Sequence, residues 1–207
     1  MALYKSLKKA FTNIEDVTSL KLNIKKSCLP EELTAFKNLN SLYVQSKSLE
    51  SIPDWISELT STRLIYINST NLAHINNEIF NLPKLEILNL SSCRIQNLNL
   101  PITTSSNLKD LNLGKNLLKS IPQNIESLEK LESLYLANNN ITEISKGLLN
   151  LTNLKRLSLD SNRLTTIPLE IKDMKSLNIL SIDNNAFSAE EKAQIEKELG
   201  ISFTAIM

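Results

Sequence analysis

One histidine, His74, and two cysteines, Cys28 and Cys93, are the residues of this chain most suited to nucleophilic or metal chemistry. A catalytic thiol needs a base within hydrogen-bond reach, and a zinc site needs three or four ligands of this kind. A lone histidine with two cysteines far apart in sequence supplies neither. Glycine-rich phosphate or dinucleotide loops are equally unsupported, because the only glycines are Gly114, Gly147 and Gly200. Asn68-Ser-Thr, Asn89-Leu-Ser, Asn140-Ile-Thr and Asn150-Leu-Thr match the N-glycosylation acceptor pattern. That pattern is short, and in a chain rich in Asn, Ser and Thr these are read as chance matches. The expectation is a protein that is not an enzyme, with no cofactor and no metal.

The elements that position side chains follow from composition and periodicity. Hydrophobic residues are 42% of the 207 positions, with Leu and Ile dominant and aromatics only 5%. Such a bias suits an interior made of one repeated aliphatic layer. Lys and Arg number 23 against 22 Asp and Glu, a net charge of +1. Nucleic-acid binding draws most of its affinity from phosphate neutralisation and favours a basic excess, so no nucleic-acid partner is expected. The densest basic residues, Lys5, Lys8, Lys9, Lys21, Lys25 and Lys26, are read as the solvated surface of an N-terminal cap. No apolar run approaches the ~20 residues that span a bilayer, so membrane insertion is not expected. Met1 to Phe11 has scattered lysines and no apolar signal-peptide core. The sequence leaves the location unknown: secreted or cell-surface if a leader has been removed, otherwise cytoplasmic.

Leu108 to Leu128 and Leu154 to Met174 superpose their apolar positions without a gap. The shared unit is LxxLxLxxNxLxxIPxxIxxL. Counting its first Leu as slot 1, units of 23 residues begin at Leu39, Thr62, Leu85, Leu108, Leu131, Leu154 and Leu177, and a 22-residue unit precedes them from Val17. A fixed period of this length marks a solenoid. The chain resembles the leucine-rich-repeat family, in its short bacterial form with Ile-Pro in the second half of the repeat. Tyr4 to Phe11, followed by Asp16-Val17, looks like the cap that precedes the first repeat in secreted bacterial members. The resemblance implies a horseshoe-shaped solenoid and an adhesion or host-interaction role.

Physical chemistry reaches the same fold. Slots 3 to 7 alternate apolar and polar residues, the period of a strand with one buried face. The same strand in every unit can pair with its neighbours only in parallel. Slots 11 to 21 carry a Pro that lacks an amide donor, so the return leg is expected as 3₁₀ or extended coil. The coil is bulkier than the ~4.8 Å strand spacing, so the stack curves with its strands inside. The expected architecture is an α/β solenoid: a curved horseshoe with a concave parallel sheet, a convex coil and helical caps. One domain spans residues 1–207, with a helical cap over 1–16, eight repeats over 17–187, and a C-terminal helical cap and tail over 188–207. Leu3, Leu7 and Phe11 fall on one helical stripe. Ser188 to Glu191 forms a capping box, Ala193, Ile195 and Leu199 supply apolar contacts, and Gly200 can end the helix in a left-handed conformation. The apolar tail is expected to pack on the last coil or to contact a partner. Cys28 and Cys93 lie three repeats apart, about 14 Å, too far for a disulfide.

Slot 9 holds Asn116, Asn139, Asn162 and Asn185 in the last four units, where a buried amide can pair the backbone of the turn. The first four units have Lys25, Lys47, Thr70 and Cys93 instead. Buried Lys is costly, so less regular turns are expected in the N-terminal half. Degeneration near a cap and a specialised binding half both account for the change. Cys93 substitutes as a small buried thiol, and His74, in slot 13 beside an Ile75 expected to be buried, is a partly exposed turn residue.

Slots 3, 5 and 7 form the open strand face. Adjacent strands there place Tyr43, Leu64, Tyr66 and Ile87 together as an aromatic–aliphatic patch. Asn89, Asn112 and Tyr135 continue slot 5, and Asp110, Arg156, Asp160 and Asp183 form a mixed-charge region. Gly114 and Ala137 beside Tyr135 are expected to leave room for a partner side chain. Two readings of Tyr43 and Tyr66 stand: partner binding, or a cross-strand stack that stabilises the sheet. Thr62 to Ile67 is apolar in both phases, but the spacing from Leu42 to Ile65 to Leu88 turns Ile65 and Ile67 inward. The expected function is a protein–protein interaction module, monomeric, with an unidentified protein bound on the concave face. The alternatives are the recognition domain of a larger bacterial effector enzyme and an envelope protein with no specific partner. The absence of a catalytic cysteine in a separate domain counts against the first of these.

Overall fold

The computed structural model describes residues 3–100, 106–122, 124–201 and 203. Among them nine parallel strands form one curved, open sheet in strict chain order. They are β1 (Leu3–Tyr4), β2 (Ser19–Ile24), β3 (Ser41–Ser46), β4 (Leu64–Ser69), β5 (Ile87–Asn89), β6 (Asp110–Asn112), β7 (Ser133–Tyr135), β8 (Arg156–Ser158) and β9 (Ile179–Ser181). The register aligns Leu20, Leu42, Ile65, Leu88, Leu111, Leu134, Leu157 and Leu180 in one row. All of them except half-buried Leu180 in the last strand are fully buried. At ~1.5–3 kcal/mol for each buried Leu or Ile, such rows supply the main stabilisation, shared between neighbouring units. Ile65 and Ile67 point inward, with Leu64 half-buried and Tyr66 36% exposed. The spacing argument therefore selects the observed phase.

The return legs contain 3₁₀ turns at Glu31–Ala35, Asp54–Glu58, Asn77–Asn81, Ile125–Ser127, Lys146–Asn150 and Leu169–Asp173. Pro30, Pro53 and Pro168 stand directly before three of them, in extended conformation. A missing amide is harmless at that position. Each turn drives one aliphatic side chain inward: Leu33, Ile56, Ile79, Ile125, Leu148 and Ile171 are all buried.

The N-terminus departs from the expected helical stripe. Leu3–Tyr4 pairs with Ser19–Leu20 as β1 and covers the edge of β2, which would otherwise present unpaired backbone groups. Helix α1 (Leu7–Ala10) is a single turn capped by Ser6. Leu3 and Phe11 are 46% and 39% exposed, and Ala10 is the buried residue. Phe11 stacks at a tilt on Phe36, with centroids 5.0 Å apart.

Helix α2 (Ala189–Leu199) closes the other end. The Ser188 side chain accepts from the Glu191 amide at 3.1 Å, and Gly200 ends the helix at φ 66°. The Glu191 carboxylate accepts the Thr166 hydroxyl at 2.7 Å, tying the helix to the preceding unit. Within the tail, Ile201 and Phe203 pack on the core, and Phe203 meets Phe187 at 5.6 Å. The remaining tail residues, Ser202 and 204–207, lie outside the described residues.

Candidate functional site

The two halves of the sheet differ in how each strand ends. In the C-terminal units the strand stops at slot 5 and the chain turns through a left-handed residue in slot 8: Ser92, Lys115, Asn138, Ser161 and Asn184 have φ of 55–60°. Side chains rarely adopt that conformation. In four of these units the next residue is the slot-9 asparagine. Asn139 is typical. Its Oδ1 accepts from the Leu118 amide at 3.0 Å, and its Nδ2 donates to the carbonyls of Leu113 and Leu136 at 3.0 and 2.9 Å. Asn116, Asn162 and Asn185 repeat the pattern. Cys93 keeps the turn but offers only long contacts, 3.8 Å to the Ile67 carbonyl and 3.7 Å to that of Ser91. Burial pushes its thiol pKa up.

In the first three units the strands run six residues instead of three. The turns that follow them differ from one another, as expected, whereas those of the later units repeat one left-handed conformation. Alternation continues to slot 8, where Ser46 and Ser69 point inward and are buried. The Ser46 hydroxyl donates to the Ile24 carbonyl at 2.7 Å and accepts from the amides of Ser48 and Leu49, both at 2.9 Å. Ser69 donates to the Leu49 carbonyl at 2.8 Å. In the second and third units an inward serine thus takes over the asparagine's work one residue earlier, and slot 9 swings outward; the first unit has half-buried Ile24 in slot 8 instead. Lys25, Lys47 and Thr70 are exposed, so no lysine is buried.

The longer strands present an extended platform. Tyr43 and Tyr66 are register partners with rings stacked at 5.4 Å and 23°. Leu64 pairs with Ile87, and Tyr66 with Asn89. The patch expected from sequence is therefore brought together. Tyr43, Tyr66 and Asn89 line a shallow groove of about 320 Å³ with Lys21, Gln45 and Asn68. The amide side chains of Asn23, Gln45 and Asn68 lie in one register row. All three are exposed, and among the described residues none is hydrogen-bonded to the protein.

Further along, polar groups on the same face are committed internally. Asn89 and Asn112 each accept an amide two residues on, from Ser91 at 3.0 Å and Gly114 at 2.9 Å. Asn112 pairs in register with Tyr135. Asp160 takes the hydroxyls of Ser158 and Ser181 at 3.0 and 2.6 Å and the Asp183 amide at 2.9 Å. Asp110 and Arg156 flank buried Ser133 in the register. The expected space at Gly114 does not exist. Gly114 is buried, and a Cβ there would meet the Ala137 carbonyl at 3.2 Å and the Asn112 Oδ1 at 3.3 Å. Glycine serves close backbone approach at that position.

His74 is exposed, and its carbonyl accepts the Ile52 amide at 3.0 Å; Ile75 beside it is half-buried. Cys28 is exposed and Cys93 buried, both as free thiols. Among the described residues no cluster of His, Cys, Asp and Glu could hold a metal ion. No helix among them is long and apolar enough to cross a membrane.

Two features escaped the sequence reading. The slot-9 lysines belong to the platform, and their signal was the alternation running on through Ser41–Ser46 and Leu64–Ser69. Slot 2 also carries a ladder of alternating charge, with one Arg63 guanidinium nitrogen donating to both carboxylate oxygens of Glu86 at 2.9 Å and Lys155 on Glu132 at 2.6 Å. Lys155 holds the Glu132 carboxyl below the usual range, by hydrogen bond first and charge second.

Several solved structures share this architecture. A leucine-rich-repeat protein of Leptospira interrogans is 26% identical, with a TM-score of 0.57 over 90% of this chain and 60% of that one. An internalin (inlF) of Listeria monocytogenes is 22% identical, with a TM-score of 0.69 over 89% and 53%. The Arabidopsis receptor kinase HAESA, in complex with the peptide hormone IDA and the co-receptor SERK1, is 26% identical, with a TM-score of 0.63 over 82% and 29%. The chain thus spans 60% or less of each of these proteins. No curated protein sequence matches it. Residues 78–201 match the family described as leucine-rich repeat region, and the chain belongs to the leucine-rich-repeat family.

Proposed function

We propose that this chain is a non-catalytic protein-interaction module whose partner seats on the concave face over β2 to β5. Leucine-rich-repeat domains are typically interaction modules without catalytic chemistry. The observation that carries the location is the Tyr43–Tyr66 stack, partly exposed above a groove that also holds the exposed amide side chains of Gln45 and Asn68. Tyr is a frequent binding hot spot, because a rigid ring buries much area at little entropic cost. The HAESA complex offers an analogy for a peptide and a protein on such a scaffold.

The finer reading is a secreted or cell-surface bacterial protein acting in adhesion or host contact. The Ile-Pro repeat form and the likeness to the Leptospira protein support it. Proteins captured from host and bacterial extracts by the wild-type chain are compared with those captured by Tyr43→Ala/Tyr66→Ala. Specific partners lost on the double substitution, with unfolding unchanged, support the reading. Capture indifferent to both tyrosines sinks the site.

A further inference from the structure

We infer that the partner segment seated on this platform is an acidic stretch of polypeptide. The inference rests on the interaction reading above and names its chemistry. Three shallow depressions adjoin on the N-terminal concave face; Gln45 lines all three, and Lys21, Asn23 and Asn68 each line two. Lys5 borders one of them, and Lys25 and Lys47 another. No carboxylate lines any of the three. Among the described residues none of these four lysines has an ion-pair partner. The ion pairs that do form lie elsewhere, in slot 2 and at α2. The chain as a whole is nearly neutral, so this basic field is local and is produced by fold. The extended strands turn slot 9 outward, so that Lys25 and Lys47 line a depression that shares Asn23 and Gln45 with the one bordered by Lys5 and Lys21.

The polar lane between the lysines and the tyrosines favours polypeptide over nucleic acid. Asn23, Gln45 and Asn68 each offer a donor and an acceptor, as a peptide backbone requires. Tyr43 and Tyr66 are already stacked on each other, which leaves no gap for a base between them. An extended peptide laid across the strands would place apolar side chains on the tyrosines and carboxylates on the lysines. Complementary charge of this kind sets selectivity and association rate.

The test is selection of random short linear peptides, by display, on the immobilised full chain. Synthetic winners are then titrated by fluorescence anisotropy. The expected outcome is enrichment of Asp and Glu flanking an apolar or aromatic residue. Lys21→Glu/Lys25→Glu/Lys47→Glu should weaken the winners by about tenfold or more, since three exposed attractions become repulsions. Lys175→Glu, an equal charge reversal at an exposed residue in the turn before β9, should leave them unchanged, and circular dichroism confirms folding. Winners without acidic bias, no enrichment, or indifference to the lysine reversal overturns the inference. So does a single-stranded RNA oligonucleotide that binds more tightly with the same lysine dependence, since the partner is then nucleic acid. A captured protein that is lost on Tyr43→Ala/Tyr66→Ala but unaffected by the lysine reversal leaves the interaction module standing and removes only its acidic partner.

Discussion

Asn139→Ala tests the physical difference between the two halves. The substitution removes three hydrogen bonds from a residue that is 7% exposed. The consequences are unequal. The Leu113 carbonyl keeps the Asn116 Nδ2 at 2.9 Å, and the Leu136 carbonyl keeps the Asn162 Nδ2 at 3.0 Å. Only the Leu118 amide loses its acceptor. An orphaned buried donor costs about 1–3 kcal/mol, and weakening two shared carbonyls adds some tenths each, so the expected loss is about 2–3 kcal/mol. Asn116→Ala should cost about 1 kcal/mol more. Its Nδ2 also serves the Leu90 carbonyl, where the preceding unit offers Cys93 in place of a second asparagine. Lys47→Ala, at the same slot in an exposed setting, should stay within about 0.5 kcal/mol of wild type. Urea unfolding followed by far-ultraviolet circular dichroism measures all three, provided the slope of the transition is unchanged. Equal losses at Asn139 and Lys47, or none at Asn139, would refute the assignment of slot 9 to two different roles.

Other consequences are open to measurement. Ser46→Ala strips one donor and one doubly used acceptor from a buried site, and the same urea titration should show a loss of about 1–2 kcal/mol. Glu132 has its pKa lowered in the folded state, chiefly by Lys155. Its contribution to stability is therefore present above the unfolded carboxyl pKa and fades as pH falls through the folded value. Glu132→Gln should flatten that part of the acid limb, and an unchanged limb would show that the pair is inert. Exposed Cys28 should react with a thiol reagent at the rate of a free cysteine, while Cys93, buried and with its pKa raised, should react only on unfolding; two fast thiols would contradict this. Phe203→Ala removes a ring that meets Phe187 at 5.6 Å and lies 5.7 Å from the Lys192 ammonium. It should lower thermal stability by about 1–2 kcal/mol, measured by calorimetry.

The sequence discloses what depends on strict repetition. The period, the parallel pairing, the inward row from Leu20 to Leu180, the 3₁₀ return legs and the asparagine ladder all follow from residues recurring in phase, and the structure places them as the spacing requires. The N-terminal cap was less legible. Leu3, Leu7 and Phe11 fit a helical stripe, but exposed backbone at the β2 edge gains more from pairing with Leu3–Tyr4 than a helix gains from burying Leu3. Propensity gave way to a tertiary requirement that no local window contains.

The misreading at slot 9 has a more general cause. Treating Lys25 and Lys47 as failed replacements for a buried asparagine assumes that the backbone is the same in every unit and only the side chain changes. The structure keeps the function and moves the residue. Some group must satisfy the backbone where the strand leaves the sheet. A serine reaches it from slot 8 on an extended strand, whereas an asparagine reaches it from slot 9 after a left-handed turn. The two solutions bury similar polar groups but differ in what they show to solvent. The asparagine turn shortens the strand to three residues, and neighbouring polar side chains are absorbed in holding the loop, as Asn112 and Asp160 are. The serine solution keeps the strand open for six residues and frees slots 7 and 9. Residues that break a repeat's consensus together and in adjacent units are thus better treated as a second backbone solution than as decay. Here that solution leaves Gln45, Lys47, Asn68 and Thr70 exposed along β3 and β4 and their turns.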